Sequence, residues 1–235
     1  LRSSLASREA ALNRRFQVVS VEVDVGGRPI RLVRPESSDA LISEADYVRD
    51  ERLPYWAELW PSALILARHV ASLDGTGRSL LELGCGVGLV ATAAARAKFA
   101  VTATDYYTDA LLFTSFNVAR NSGREPVVRE LDWRSVPADL GRFDVVVASD
   151  VLYEKHYPSL IADVIARALA PGGTALIADP GRIAAPELPG ECAARGLIEE
   201  CRAPTAFDEG EIHQMIDIIT IGWDAAAARR QGTRG

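Results

Sequence analysis

Three glycines alternate with two small side chains in Gly84-Cys85-Gly86-Val87-Gly88, directly after Leu81-Glu82-Leu83 at the end of an expected strand. A buried strand that runs into such a turn and then into a helix brings bare backbone close to a ligand, because glycine has no Cβ to hold it off. A dinucleotide-binding loop places its third glycine three positions after its second. Here that position is Leu89, and the third glycine comes one residue early at Gly88, which argues against a nicotinamide-dependent oxidoreductase. Asp105 ends the next apolar run, where a carboxylate can accept hydrogen bonds from both hydroxyls of a ribose or can cap the helix that follows. Asp132-Trp133 closes a third run, and its indole suits stacking on a flat base as well as ordinary core filling. A fourth apolar run, 143–148, ends on Ser149-Asp150, with Tyr153 three positions beyond Asp150.

Other reactive types carry weaker signals. Cys85 has no histidine or carboxylate partner at a nucleophile's spacing and reads as a small side chain in a tight loop. His156, three residues after Tyr153, has the pKa range of a proton acceptor but also the position of a solvated helix-start histidine. Arg182, in Asp179-Pro180-Gly181-Arg182, could meet a carboxylate of a partner or form an ordinary surface ion pair.

These residues need a scaffold that brings strand ends together. The pattern gives strands at 79–83, 100–104, 127–131, 143–148 and 174–178, with helices at 58–70, 89–97, 110–121 and 158–170, the last stopped by Pro171-Gly172-Gly173. Unbroken apolar strands separated by helices imply a parallel sheet covered on both faces, with the site at the carboxyl ends of the strands. Residues 197–201 and 213–223 leave no room for a helix between them and read as an antiparallel pair finishing the sheet. Before this unit, 4–15 reads as a helix. The alternating run 16–25, with Val19, Val21, Val23 and Val25 on one face, turns at Gly26-Gly27 into a second strand over 28–33. The expected organisation is an N-terminal helix and hairpin extension over 1–53, one α/β domain over 54–224 and a disordered tail over 225–235.

Composition narrows the partners. The net charge of −6 argues against duplex nucleic acid, whose binding draws on a concentrated basic surface. No apolar run approaches the roughly 20 residues of a membrane span, and Cys85, Cys192 and Cys201 form no CxxC pair. A reduced, cytoplasmic setting is expected, with no membrane or nucleic-acid partner and no metal.

The G-C-G-V-G loop preceded by Glu82, together with Asp105, Trp133, the segment Pro54-Tyr55-Trp56-Ala57-Glu58-Leu59-Trp60-Pro61 and the tetrad Asp150-Val151-Leu152-Tyr153, resembles the seven-stranded methyltransferases that use S-adenosylmethionine (SAM). Within them the chain is similar to the lysine methyltransferase family whose members act on chaperones and on the electron-transfer flavoprotein β subunit. Asp179-Pro180-Gly181-Arg182 is similar to the flavoprotein-directed branch in particular. The resemblance covers roughly 54–223. It implies a Rossmann-like doubly wound sheet of seven strands, mostly parallel with an antiparallel C-terminal strand. It also implies that Trp60, Glu82, Gly84, Cys85, Gly86, Gly88, Asp105, Trp133 and Ser149 bind the cofactor, and that Asp150 and Tyr153 border the acceptor.

For a lysine amine with pKa ~10.4, presenting the neutral form at pH 7 costs about 4.6 kcal/mol. A nearby carboxylate stabilises the ammonium, so Asp150 is expected to capture and orient the acceptor rather than to deprotonate it. A protein lysine is the expected acceptor. A small-molecule N- or O-methyltransferase shares the same cofactor half, and a SAM-binding protein without turnover is a third reading that the intact Asp150 and Tyr153 oppose. A nucleic-acid amine methyltransferase would show prolines after the fourth strand, where this chain has Asp150-Val151-Leu152-Tyr153.

Overall fold

Along the strand Phe143–Ser149, Val145 and Val147 face one core while Val146 and Ala148 face another, so the sheet to which it belongs is buried on both sides. The computed structural model describes residues 2–41 and 54–227. In chain order these form helix α1 (Arg2–Arg15), strands β1 (Val18–Val25) and β2 (Arg28–Pro35), helix α2 (Pro61–Ala71), strand β3 (Ser79–Leu83), helix α3 (Leu89–Arg96), strand β4 (Ala100–Asp105), helix α4 (Thr108–Ser122), and strands β5 (Val127–Glu130) and β6 (Phe143–Ser149). Helix α5 (Tyr157–Ala168), strand β7 (Leu169–Asp179), helix α6 (Leu188–Ala193), and strands β8 (Leu197–Glu209) and β9 (Ile212–Trp223) complete the order.

Seven strands form one sheet in the order β5-β4-β3-β6-β7-β9-β8. Neighbours from β5 to β7 are parallel, and β9 pairs antiparallel with both β7 and β8. The chain order reverses between β3 and β6, the place where such sheets open a crevice at their carboxyl ends. Helices α2, α3 and α4 fill one face and α5 and α6 the other. This is the doubly wound α/β architecture expected. Among the described residues no helix is long and apolar enough to cross a membrane.

Several boundaries differ from the sequence pattern, each for a local reason. Helix α2 starts at Pro61 rather than at residue 58, because a residue before proline is pushed out of the helical region, and Trp60 accordingly takes φ −79° and ψ 142°. Strand β7 starts at Leu169 rather than Thr174. Its pairing with β6 jumps from Phe143↔Leu169 to Val145↔Thr174, so Pro171-Gly172-Gly173 forms an irregularity inside the strand instead of a loop before it. The final antiparallel pair is longer than expected, its first strand continuing past residue 201 to Glu209 and a turn at Gly210, and α6 has no counterpart in the pattern. The segment expected as a tail contributes a buried Ala227, and 228–235 lie outside the described residues.

The β1–β2 hairpin pairs as expected, with positive φ at Gly26 and Gly27. It joins the domain through side chains rather than through a third strand. Asn117 of α4 accepts from the Val33 N–H at 2.9 Å and donates to the Val33 carbonyl at 2.8 Å. Asn121, one turn on, does the same with Arg31 at 3.1 and 2.9 Å. Asn117 also donates to the Val87 carbonyl, tying the hairpin to the glycine turn.

Candidate active site

Strand β3 and helix α3 meet in the glycine turn, where Gly84, Gly86 and Gly88 all take positive φ (+69°, +53° and +85°). Two of these glycines answer to the protein's own packing. A Cβ on Gly86 would lie 2.9 Å from the Trp56 carbonyl oxygen, and one on Gly88 would lie 2.8 Å from the Thr114 Cα. Gly84 instead faces the Trp133 ring, with 3.5 Å available. The turn is further fixed by the Cys85 N–H donating to the Thr104 carbonyl and by Thr114, whose hydroxyl donates to the Gly86 carbonyl. Cys85 is buried within 3.3 Å of that hydroxyl, and burial pushes its thiol well above the ordinary range, so it is no thiolate nucleophile.

Asp105, the last residue of β4, does not cap α4, which starts after Tyr107. Its carboxylate instead accepts from the Gly86 N–H at 2.9 Å and the Tyr107 N–H at 3.0 Å, clamping the glycine turn to the strand beside it. Glu82 is buried beneath the turn. Its Oε2 has no hydrogen-bond partner among the described residues, and burial raises its pKa well above 4.5.

These groups line one wall of a cavity of about 350 Å³ at the carboxyl end of the sheet. A second wall comes from the end of β6, the strand next to β3, with Ser149, Asp150 and Tyr153, and the lining also includes Tyr55, Trp60 and Trp133. The aromatic rings form a chain: Tyr55 stands edge-on to both Trp60 and Tyr153, Tyr153 to Tyr157, and Tyr157 to Trp133. Trp60 is half-buried, donating its indole N–H to the Tyr55 carbonyl at 3.0 Å, so it is a rim residue and not a core helix residue.

All of the site residues expected from sequence border this cavity except Gly88, which caps α3 behind the turn. Asp150 is buried and takes φ +59°, a left-handed conformation that aspartate tolerates better than most residues. Ser62 donates to its Oδ2 at 3.3 Å and Arg182 to its Oδ1 at 2.5 Å. Arg182 therefore meets a carboxylate of its own chain. His156 stands outside the cavity lining at the start of α5, exposed and 3.6 Å from Glu154, the solvated placement of its two readings. Sequence reasoning missed Ser62, Tyr55, Tyr157 and Asp179. The motif containing Arg182 could have pointed to Asp179, whereas nothing in the pattern marks Ser62.

A family model described as a methyltransferase domain matches residues 51–227. A protein-lysine methyltransferase of Mus musculus is 33% identical over 112 residues, covering 42% of this chain and 46% of that protein. The electron transfer flavoprotein beta subunit lysine methyltransferase of Xenopus laevis is 32% identical over 139 residues, covering 55% of this chain and 53% of the relative. The match thus spans about half the length of these curated relatives. Among solved structures, a glycopeptide N-methyltransferase complexed with sinefungin superposes with TM-score 0.54 at 17% identity, over 66% of this chain and 91% of the other, a likeness of fold.

Proposed function

Because the chain belongs to the methyltransferase-domain family, we propose that its cavity binds SAM and that it methylates a lysine amine on another protein. The observation that carries this reading is the meeting, in one cavity, of the glycine turn and Asp105 on one wall with Ser149, Asp150 and Tyr153 on the other. Sinefungin, held by a protein of the same fold, is an analogue of SAM. The residues present fit the cofactor: Glu82 leaves a buried oxygen unpartnered beneath the turn, Gly84 leaves space against Trp133, and Asp105 holds a carboxylate at the strand end.

Trp60, Glu82, Gly84, Cys85, Gly86, Asp105, Trp133 and Ser149 would form the cofactor's site, with Gly88 shaping the turn from behind, Asp105 toward the ribose and Trp133 toward the base. When bound, SAM supplies a methyl group on a cationic sulfonium. The protein then has to hold a nucleophile in line and exclude water, which is a positioning task. Asp150 and Tyr153 border the acceptor, and the ring of Tyr153, 36% exposed at the mouth, would guide the amine. The lysine assignment draws on the two relatives named as lysine methyltransferases.

Incubation with radiolabelled SAM and a small-molecule-depleted cell extract, followed by gel separation, should yield a discrete labelled protein that Asp150→Ala abolishes while leaving S-adenosylhomocysteine binding intact. Label found only in small molecules would reject the protein acceptor. Absence of any S-adenosylhomocysteine binding by calorimetry would reject the cofactor.

A further inference from the structure

Asp150 reaches the cavity with both of its carboxylate oxygens already engaged by its own chain, one by Ser62 and one by Arg182. Arg182 is held from three directions. Asp179, the buried last residue of β7, accepts the backbone N–H groups of Gly181 at 2.8 Å and Arg182 at 2.7 Å, and Gly181 takes φ +86° to make that turn. The Arg182 Nε donates to Asp150, and its guanidinium carbon lies 5.4 Å from the centre of the Trp60 ring, within cation–π reach. The hydrogen bond to Asp150 raises the Arg182 pKa further above its ordinary value, so this cation persists at every working pH.

We infer that Arg182 cancels the charge of Asp150 so that the acceptor pocket selects the neutral form of its amine. The inference rests on the amine-acceptor reading above. A bare carboxylate beside an amine favours the ammonium by about one to three pKa units, opposing the proton loss that must precede attack. A carboxylate already ion-paired loses most of that influence while its oxygens stay fixed. The titratable groups facing Arg182 are Asp150 from the end of β6, Asp179 from the end of β7 and Tyr55 from the turn before α2. Asp179 receives both backbone donors on Oδ1, whereas the Arg182 side chain bonds the Asp150 carboxylate directly, so Asp150 is the charge it pairs with. Asp179 is a positioning residue for Arg182, which is itself the specificity-determining one.

The test is calorimetric binding of n-butylamine, a mimic of the lysine side-chain end, to the S-adenosylhomocysteine complex of the full chain between pH 7 and 10. This product form carries no sulfonium charge, so the pH dependence reports the protein's own groups. Wild type should bind total amine about tenfold more tightly for each pH unit gained toward the free amine's ~10.4. Arg182→Gln should bind at least about tenfold more tightly than wild type at pH 7 and lose that slope, because Asp150 then captures the ammonium. The double variant Asp150→Asn, Arg182→Gln should regain the slope. Asp150→Asn alone should keep the slope with weaker binding, which preserves the test if Arg182→Gln does not fold, as judged by its S-adenosylhomocysteine affinity. A common slope in wild type and Arg182→Gln, or a flat profile in wild type, overturns the inference. So does failure of both proteins to bind the amine, and that result leaves methyl transfer itself to the labelled band.

Discussion

The two walls of the cavity are held by different means. On the glycine side, Asp105 at the end of β4 grips the backbone N–H groups of Gly86 and Tyr107, and Asn117 grips the carbonyl of Val87. On the other side, Asp150 at the end of β6 is fixed by the side chains of Ser62 and Arg182, which come from an α-helix and from a loop 32 residues further along the chain. On the glycine side the groups held are backbone N–H and carbonyl groups, so its shape rests on Asp105 and Asn117 and not on the identity of the side chains that line it. A wall held by side chains can be retuned by single substitutions, as suits the half that must discriminate among acceptors. Under the proposed function the first wall would hold the cofactor and the second the acceptor.

Three substitutions on the backbone-held wall should sharpen this contrast. Asn117→Ala would leave the N–H and carbonyl of Val33 and the carbonyl of Val87 without their partner, and at about 1 kcal/mol or more per buried group it should cost roughly 3 kcal/mol in denaturant unfolding. A loss under ~1 kcal/mol would show that the wall does not depend on these bonds. Asp105→Ala should weaken S-adenosylhomocysteine binding about a hundredfold, roughly 2.7 kcal/mol by calorimetry. An equal loss in Asp150→Ala would erase the distinction between the walls. The smallest effect concerns Glu82, whose burial holds its pKa in the folded chain well above 4.5. The folded state then keeps a proton that the unfolded chain releases, so stability falls as pH rises above about 4.5, until the buried group ionises as well. In ligand-free thermal melts from pH 5 to 8, Glu82→Gln should flatten that fall, and parallel curves would refute it.

The same division decides what could be read from the sequence. The glycine turn and Asp105 announce themselves because their roles follow from backbone conformation and from the end of a strand, both of which leave a local pattern. The unbroken apolar run along β6 likewise made the two-faced sheet legible. Ser62 and Asp150 lie 88 positions apart, and only the folded topology makes them neighbours. Trp60 was expected within a helix because the apolar spacing of α2 extends backward past Pro61, whereas proline's steric demand fixes the true start. The early start of β7 was hidden for a related reason. Pro171-Gly172-Gly173 marks a break in most settings, yet here the break is absorbed within a strand whose register with β6 skips over it. Arg182 was placed in a suggestive motif, but the sequence could not say that its counter-charge lay within the same chain.

The paired amides of α4 have a geometric consequence. Four residues of helix advance about 6 Å, and two residues of strand advance about 6.6 Å, so Asn117 and Asn121 mesh with Val33 and Arg31 as two teeth on nearly equal pitch. A slip of the hairpin by one residue would bring Leu32 and Ile30 opposite the teeth, and their N–H and carbonyl groups point to the other edge, toward β1. The amino-terminal ribbon is therefore indexed to a single helical position, and through Asn117 to the tip of the glycine turn, so that ribbon and helix face could be exchanged between related proteins only as one matched piece.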